Sequence, residues 1–171
     1  MGLNRAVVRL DHHDPRWLIV GAAECDRLRG TLRELCVDVE HVGSTAVAGL
    51  PAKPILDIAV ALPNANSWDF PELRARMQTM GYEFILDGGD EGGLLFTRSV
   101  GDTVFVHLHA VALDDAQWRD YLVFRDALRD SAEQRARYAA LKSKLATQHP
   151  EDRLAYTDAK APFIRGVINS Q

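Results

Sequence analysis

The feature that most restricts the fold is the apolar run at residues 55–62, ILDIAVAL, in which Asp57 is the one polar residue. A short apolar run without alternation is typical of a strand that is covered on both faces. We therefore predict that this segment is a central strand of a sheet. A carboxylate inside such a strand makes Asp57 the first candidate for a functional residue.

Patterns on either side of this strand predict its neighbours. Asp14-Pro15 has the form of an N-cap followed by proline at the first helical position, and apolar residues then recur at helical spacing over residues 18–35. Residues 37–42 are predicted to form a short strand. We therefore predict that a helix and a short strand precede the strand that contains Asp57.

The middle of the chain changes from helical to strand-like spacing. Ser67 is placed to cap a helix, and alternation typical of strands follows over residues 82–111. A Gly-rich stretch at residues 88–93 interrupts this alternation and indicates a hairpin connection. On the last strand His107 and His109 are two residues apart, so both side chains should point to the same face.

The last third of the chain has helical spacing. Asp114 and Ser131 each stand three residues before a glutamine, the spacing of a capping box, and predict helices over residues 115–129 and 132–148. A further helix is predicted near the C-terminus. No repeat or linker divides these segments, so we predict one α/β or α+β domain over residues 1–171, with a mixed sheet, flanking helices and a C-terminal helical cap.

Composition excludes several classes of protein. At 171 residues and 47% hydrophobic content, the chain can bury a core without disulfides or a structural metal. Its formal net charge is -4, with Lys and Arg scattered among Asp and Glu, so we expect no nucleic-acid partner. No cationic leader or bilayer-length apolar run is present, so we expect a cytoplasmic protein without a membrane partner. A small anionic ligand is compatible with this charge.

The turn Gly43-Ser44-Thr45 ends the strand that precedes Asp57. Glycine lets the backbone approach a phosphate, and the hydroxyl and nearby N–H groups can donate hydrogen bonds to it. A carboxylate on the next strand can hold the divalent ion that bridges phosphates. The same residues also fit a plain turn beside a buried aspartate bonded to local backbone, and the pattern leaves both interpretations open.

One long segment resembles a known family. Residues 41–60, HVGSTAVAGLPAKPILDIAV, are similar to the signature segment of the GrpB family, which is placed in the nucleotidyltransferase superfamily. The resemblance implies a nucleotidyltransferase-like sheet and helices. Shorter similarities occur in the family's order along nearly the whole chain: residues 13–17, His107-Leu108-His109, residues 121–129, Tyr138 with Leu141-Lys142, residues 156–160 and Phe163-Ile164.

The resemblance also implies an activity, the metal-dependent transfer of a nucleoside monophosphate from a nucleoside triphosphate to a small acceptor. In that superfamily a second carboxylate follows the first by two residues and shares the metal ions, Mg or Mn. Ala59 stands at that position here, and His107 and His109 occupy the place of a third carboxylate. These departures keep a second hypothesis open, a degenerate module that binds a nucleotide or phosphorylated metabolite without turnover.

The two histidines also support a third hypothesis. A pair of this kind can ligate a transition metal, so Asp57, His107 and His109 are predicted as a catalytic and metal-binding cluster in which Zn is an alternative to Mg or Mn. Such a cluster would suit a metal-dependent hydrolase or lyase. The simpler alternative is a hydrogen-bonded layer of two partly buried histidines.

Two cations continue apolar helical stripes. Arg125 and Lys160 should both point inward, where a cation needs an anionic partner, either an acid of the protein or the phosphate of a ligand. The complete set that we predict to bind a nucleotide or phosphate is Gly43, Ser44, Thr45, Lys53, Arg125, Lys142, Tyr156 and Lys160.

Overall fold

Most of the apolar run around Asp57 forms an interior strand of the sheet, paired on both edges, as predicted. The computed structural model describes residues 1–63, 70–87 and 93–171, so Ser67 and residues 88–92 of the predicted connection lie outside the described residues. The elements are β1 Leu3–Asn4, α1 Arg16–Leu32, β2 Asp38–Val42, β3 Leu56–Leu62, α2 Phe70–Thr79, β4 Glu83–Asp87, β5 Leu94–Val100, β6 Thr103–Ala112, α3 Ala116–Asp130, α4 Ala132–Gln148, α5 Arg153–Asp158 and α6 Ala161–Ile168.

The sheet is mixed, with the strand order β2-β3-β6-β5-β4 and the short β1 paired to the start of β6. Strand β2 runs antiparallel to β3, whereas β3 and β6 are parallel neighbours. Their register places Asp57 beside His107 and Ala59 beside His109. The predicted α/β class with a mixed sheet and C-terminal helices is therefore confirmed.

Alternation along the strands divides the core between the two faces of the sheet. On one face Leu56, Ile58 and Val60 of β3 belong to the same buried cluster as residues of α1 and α2. On the other face Ala59 and Ala61 pack with Trp118 of α3. Because side chains alternate along a strand, Asp57 points to the face that is covered by α3.

Two of the three predicted helix N-caps are confirmed, and one is wrong. The Asp14 carboxylate accepts a hydrogen bond from the Arg16 N–H at 2.9 Å, and Ser131 Oγ accepts from the Gln134 N–H at 3.1 Å. The predicted cap Asp114 is wrong. Asp115 is the residue with extended backbone before α3, and its carboxylate accepts from the Gln117 N–H at 2.7 Å.

Gly21 of α1 packs directly against a side chain of the sheet. A Cβ added there would lie 2.2 Å from Nδ1 of His41 on β2. The His41 ring is buried, and its Nε2 is hydrogen-bonded to Thr45 Oγ1 at 2.9 Å, so the ring has little freedom to move aside. Glycine at this position therefore sets the distance between α1 and β2.

We predict that Gly21→Ala lowers the free energy of unfolding. Alanine improves helix propensity by about 1 kcal/mol, but forcing a methyl group into a filled site typically costs about 1–3 kcal/mol. The net loss should therefore be up to about 2 kcal/mol in urea unfolding. Gly30→Ala is the matched control, because Gly30 is exposed in the same helix with nothing within 4 Å of an added Cβ, and it should stabilise the protein. If both variants stabilise the protein, the close contact with His41 is wrong.

Candidate functional site

The strand order brings Ser44, Asp57 and His107 together. Strand β2 ends just before Ser44, and because β2 and β3 are antiparallel, this end meets the start of β3, where Asp57 lies. The parallel register of β3 and β6 then places His107 beside Asp57. These residues form the floor of a cavity of about 340 Å³ beneath the C-terminal helices.

The walls of this cavity are strongly basic. Four cations line it, and among its described lining residues Asp57 is the only acid. We call it the cationic compartment, defined by Lys53, Lys142, Arg153 and Lys160 around Ser44 and Asp57. With every amino group protonated, positive charge exceeds negative charge here, in contrast to the net negative charge of the whole chain.

Lys142 of α4 is the most deeply buried of these cations, with 2% of its surface exposed. Its Nζ donates to Ser44 Oγ at 2.9 Å and to the Pro51 carbonyl, and it lies 4.8 Å from the centre of the Tyr138 ring. Burial lowers the pKa of Lys142 to about 7, and the neighbouring cations Lys160 and Lys53 add to this effect against the attraction of Asp57. No carboxylate directly pairs with this amino group among the described residues.

Lys53 and Lys160 both contact the ring of Tyr156. Their Nζ atoms lie 5.3 Å and 4.5 Å from its centre, within the range of cation–π attraction. Burial lowers the pKa of Lys53 to about 8, helped by the charges of Lys160 and Arg153, and burial also lowers the pKa of Lys160. Burial raises the pKa of the Tyr156 hydroxyl to about 12, so this residue stays neutral and supplies a ring face and an O–H group.

Asp57 is held in its charged form. Burial alone would raise its pKa, but the hydrogen bond with His107 and the favourable electrostatic effect of His107, His109 and Lys53 hold the pKa well below its usual range. His107 Nδ1 lies 3.3 Å from Asp57 Oδ1, and Arg153 Nη2 lies 3.4 Å from His107 Nε2. Because arginine can only donate, this arrangement favours the tautomer in which Nδ1–H donates to Asp57.

Gly43 allows the turn to pack directly on this carboxylate. Its φ is +66°, and an added Cβ would lie 2.5 Å from Asp57 Oδ2. Thr45, the third residue of the predicted phosphate turn, is 1% exposed. Its hydroxyl is bonded to His41 Nε2 at 2.9 Å and to the Ile55 carbonyl at 3.4 Å, so it supports the turn and is not free for a ligand.

Arg125 requires a correction. It points inward as predicted, but its guanidinium donates to Glu40 at 2.5 Å and to Asp126 at 2.8 Å, and it also contacts the His41 carbonyl at 3.2 Å. Arg125 does not line the cationic compartment. Its anionic partners are acids of β2 and α3, so it joins the sheet to the helix and does not clamp a phosphate.

The metal cluster predicted for Asp57, His107 and His109 is also not formed. Within residues 1–63, 70–87 and 93–171, no group of three His, Cys, Asp or Glu side chains is arranged to hold a metal ion. Nδ1 of His107 is already bonded to Asp57, and the ring of His109 packs against Tyr121 at 5.3 Å. Four nearby cations would also repel a divalent ion. The residues present therefore do not fit a resident divalent metal.

Arg153 also lines the cationic compartment, although no sequence pattern pointed to it. This residue begins α5, whose N-terminus is capped by Asp152 through the Ala155 N–H at 2.9 Å. Arg153 precedes Tyr156 by three residues, which places both on one face of α5. Its spacing from the predicted Tyr156 could have identified Arg153, had this short helix been recognised.

A second cavity, of about 390 Å³, adjoins the first. It shares four residues with the cationic compartment, Ser44, Asp57, His109 and Lys160. We call it the aromatic compartment, because Tyr121, Phe124 and Tyr138 form much of its wall. The two compartments thus meet over a common floor at the sheet.

Comparison with known proteins identifies the family. A sequence model described as "GrpB protein" matches residues 7–170. The chain belongs to the GrpB protein family. The resemblance found in residues 41–60 and in the shorter motifs is therefore confirmed.

Relatives of this chain occur in several bacteria. A UPF0157 protein of Pseudomonas aeruginosa is 36% identical over 91% of the chain, which spans 64% of that protein's length. A UPF0157 protein of Streptomyces coelicolor is 36% identical over 94% of the chain and 82% of its own length. The glutamate-rich protein GrpB of Alkalihalophilus pseudofirmus is 28% identical over 99% of the chain and 98% of its own length.

A solved structure shares the fold. The crystal structure of the conserved protein GrpB from Enterococcus faecalis superposes with a TM-score of 0.83 at 29% identity, covering 95% of this chain and 96% of the other. Within the described part of the chain, no helix is both long and apolar enough to cross a membrane.

Lys142 provides a test of the site through its pKa. The ordinary pKa of a lysine is 10.5, and the pKa of Lys142 in the folded protein is about 7. Between pH 10.5 and pH 7 the unfolded chain therefore binds more protons than the folded protein, and the folded state loses stability as the pH falls. We predict that Lys142→Met stabilises the protein more at pH 7 than at pH 10, by roughly 3 kcal/mol. Urea unfolding at both pH values measures this difference.

The exposed Lys144 on the same helix is the matched control. Lys144→Met should change stability little, and by the same amount at both pH values. A Lys142→Met effect that does not depend on pH would show that this amino group keeps its ordinary pKa in the folded protein.

Proposed function

We propose that the cationic compartment binds the phosphate group of a small metabolite without a resident metal ion. One observation carries this proposal: Lys53, Lys142, Arg153 and Lys160 surround Asp57, which is the only acid among the described residues of the cavity wall. Buried cations need anionic partners. Here the described lining offers a single carboxylate, that of Asp57, to four cations. A ligand with two or more negative charges would balance this excess.

The geometry of the donors supports the same ligand. Ser44 Oγ and Lys142 Nζ are 2.9 Å apart, so both can donate to one oxyanion placed between the strand ends and α4. Tyr156 holds Lys53 and Lys160 on its ring, which limits the motion of both side chains. A preorganised group of donors loses less conformational entropy on binding than flexible surface lysines do.

Nucleotidyl transfer is the second candidate function, favoured by the adjacency of Ser44 and Asp57 at the strand ends. Ala59 is fully buried beside His109, so the described floor has one carboxylate where two-metal chemistry uses at least two. Binding without turnover therefore accounts better for the residues present. Release of pyrophosphate from a nucleoside triphosphate, assayed with Mg or Mn, distinguishes the two functions.

We predict that Lys142→Met and Lys53→Met each weaken the binding of inorganic triphosphate at least tenfold. A hydrogen bond to a charged group contributes about 1.5–3 kcal/mol, which corresponds to about a ten- to hundredfold change in affinity. Isothermal titration calorimetry at low salt measures the affinity. Ser44→Ala should have a smaller effect, because the hydroxyl is a neutral donor.

Lys144→Met is again the control and should bind triphosphate like the unchanged protein, because Lys144 is exposed and outside the cavity. The proposal is contradicted if triphosphate does not bind, or if Lys144→Met and Lys142→Met weaken it equally. The second outcome would indicate general surface attraction.

The affinity for inorganic sulfate should fall as pH rises from 6 to 9. The pKa of Lys142 is about 7 and that of Lys53 about 8, so both lose their protons in this range, whereas sulfate keeps its charge. Binding should also take up protons near pH 8, because a bound anion favours the charged amine. Calorimetry in two buffers of different ionisation enthalpy measures this uptake. If the sulfate affinity is the same from pH 6 to pH 9, the lysines of the cationic compartment keep their ordinary pKa values and the prediction is wrong.

A further inference from the structure

The hydroxyl of Ser44 lies against an amine that has no carboxylate partner among the described residues. Its Oγ is 2.9 Å from Nζ of Lys142, and Ser44 lines both the cationic and the aromatic compartment, so a bound ligand can reach it. A serine hydroxyl within hydrogen-bond reach of a base is the arrangement that activates a nucleophile. The contact can therefore take part in a reaction as well as in binding.

We propose that Ser44 is a nucleophile with Lys142 as its general base, and that it accepts a phosphoryl group from an acyl phosphate held in the cationic compartment. This inference rests on the proposed function, because the compartment must first bind the phosphate. It adds a covalent step and names the chemical class of the ligand, a small mixed anhydride of a carboxylic acid and phosphoric acid. The product is a phosphorylated Ser44.

The surroundings of Lys142 allow its amine to act as a base. An ammonium group can only donate hydrogen bonds, whereas a neutral amine keeps two N–H groups and gains a lone pair. With one N–H on the Pro51 carbonyl and the Tyr138 ring centre 4.8 Å away, the lone pair can accept the O–H of Ser44. Burial lowers the pKa of Lys142 to about 7, so the neutral form is populated near neutral pH.

The turn around Ser44 fixes the position of the hydroxyl. Gly43 has a φ of +66°, and its backbone packs on the carboxylate of Asp57. On the other side of Ser44, the Thr45 hydroxyl is bonded to Nε2 of His41 at 2.9 Å. The residues before and after Ser44 are therefore both held in place. A nucleophile that is already oriented loses little entropy when it reacts, which lowers the barrier.

Three further cations are placed to stabilise the transferred group. Lys53, Arg153 and Lys160 line the same cavity as Ser44. In phosphoryl transfer, charge is spread over the three equatorial oxygens, and catalysis consists mainly of positioning the group and neutralising that charge. Arginine and lysine side chains that surround the phosphoryl group are a common means of doing so. The compartment thus combines a nucleophile, a base and stabilising cations.

The step conserves protons and electrons. Ser44 Oγ forms a bond to phosphorus while the bond between phosphorus and the carboxyl oxygen breaks, and the Oγ proton passes to Lys142. The carboxylate leaves with the electron pair of the broken bond. Because the attacking and leaving oxygens lie roughly in line on opposite sides of phosphorus, Lys142 cannot reach the leaving oxygen. The leaving group must therefore depart as a stable anion without a proton, and a carboxylate meets this condition.

The experiment incubates the whole chain with acetyl phosphate and locates the product by mass spectrometry. We expect a gain of the mass of one phosphoryl group on the peptide that contains Ser44. Ser44→Ala should lose this label and still bind inorganic triphosphate in calorimetry. Lys142→Met should slow labelling at saturating acetyl phosphate by about a hundredfold or more, because a general base typically contributes that much.

The pH dependence separates a base from a cation that only stabilises charge. The charged and titratable groups around Lys142 are Lys53, Asp57, Tyr138, Arg153, Tyr156 and Lys160. At saturating acetyl phosphate, labelling should become faster from pH 6 to pH 9 as Lys142 loses its proton, whereas the affinity for sulfate falls. A bound phosphate moves this rise to higher pH without reversing it. Labelling that slows as the pH rises would show that the ammonium form is active and would overturn the assignment of the base.

Ser143→Ala is the matched control, because Ser143 is exposed on α4 next to Lys142 and does not line the cavity. It should be labelled at Ser44 like the unchanged protein. If triphosphate binds but Ser44 stays unlabelled, or gains an acetyl group in place of a phosphoryl group, the inference is wrong while the proposed function stands. If triphosphate does not bind, the proposed function itself fails. Circular dichroism of each variant separates a lost contact from a lost fold.

Discussion

The excess of buried positive charge around Asp57 is the constraint on which the rest of the site depends. Lys142 is almost fully buried with only neutral oxygen acceptors, Ser44 Oγ and the Pro51 carbonyl, and its lowered pKa reflects that environment. Moving a charged amine out of water is costly unless an anion accompanies it. The free protein lowers this cost by letting the amine release its proton, and an anionic ligand lowers it by supplying charge.

Topology explains why these groups meet although they are far apart in the chain. Ser44 and Lys142 are 98 residues apart, and Asp57 and His107 are 50 residues apart. The antiparallel pair β2–β3 and the parallel pair β3–β6 bring the end of β2, the start of β3 and the middle of β6 to a single point, and the C-terminal helices then close over it. The sheet supplies the floor and the acid, whereas the helices and the loop before β3 supply the cations.

Local patterns in the sequence were sufficient for the sheet and part of the floor. The apolar run identified an interior strand, and the two-residue period correctly placed His107 and His109 on one face, since both properties depend on neighbouring residues only. The ion pair of Arg125 is formed with Glu40, which is 85 residues away, and a local sequence pattern does not reveal such a contact. The same limit applies to Arg153, whose role emerges only when α5 folds back over the sheet. The N-cap of α3 is Asp115, one residue after the predicted Asp114. Two adjacent aspartates can both cap a helix, and a sequence pattern does not separate them.

The contact between Gly43 and Asp57 has an evolutionary consequence. A side chain at position 43 would collide with the carboxylate and would also have to adopt a backbone conformation that only glycine adopts easily. Loss of the acid would remove the collision but not the backbone requirement, so two independent constraints act on this position. Glycine should therefore persist at the turn even in family members that have lost the carboxylate.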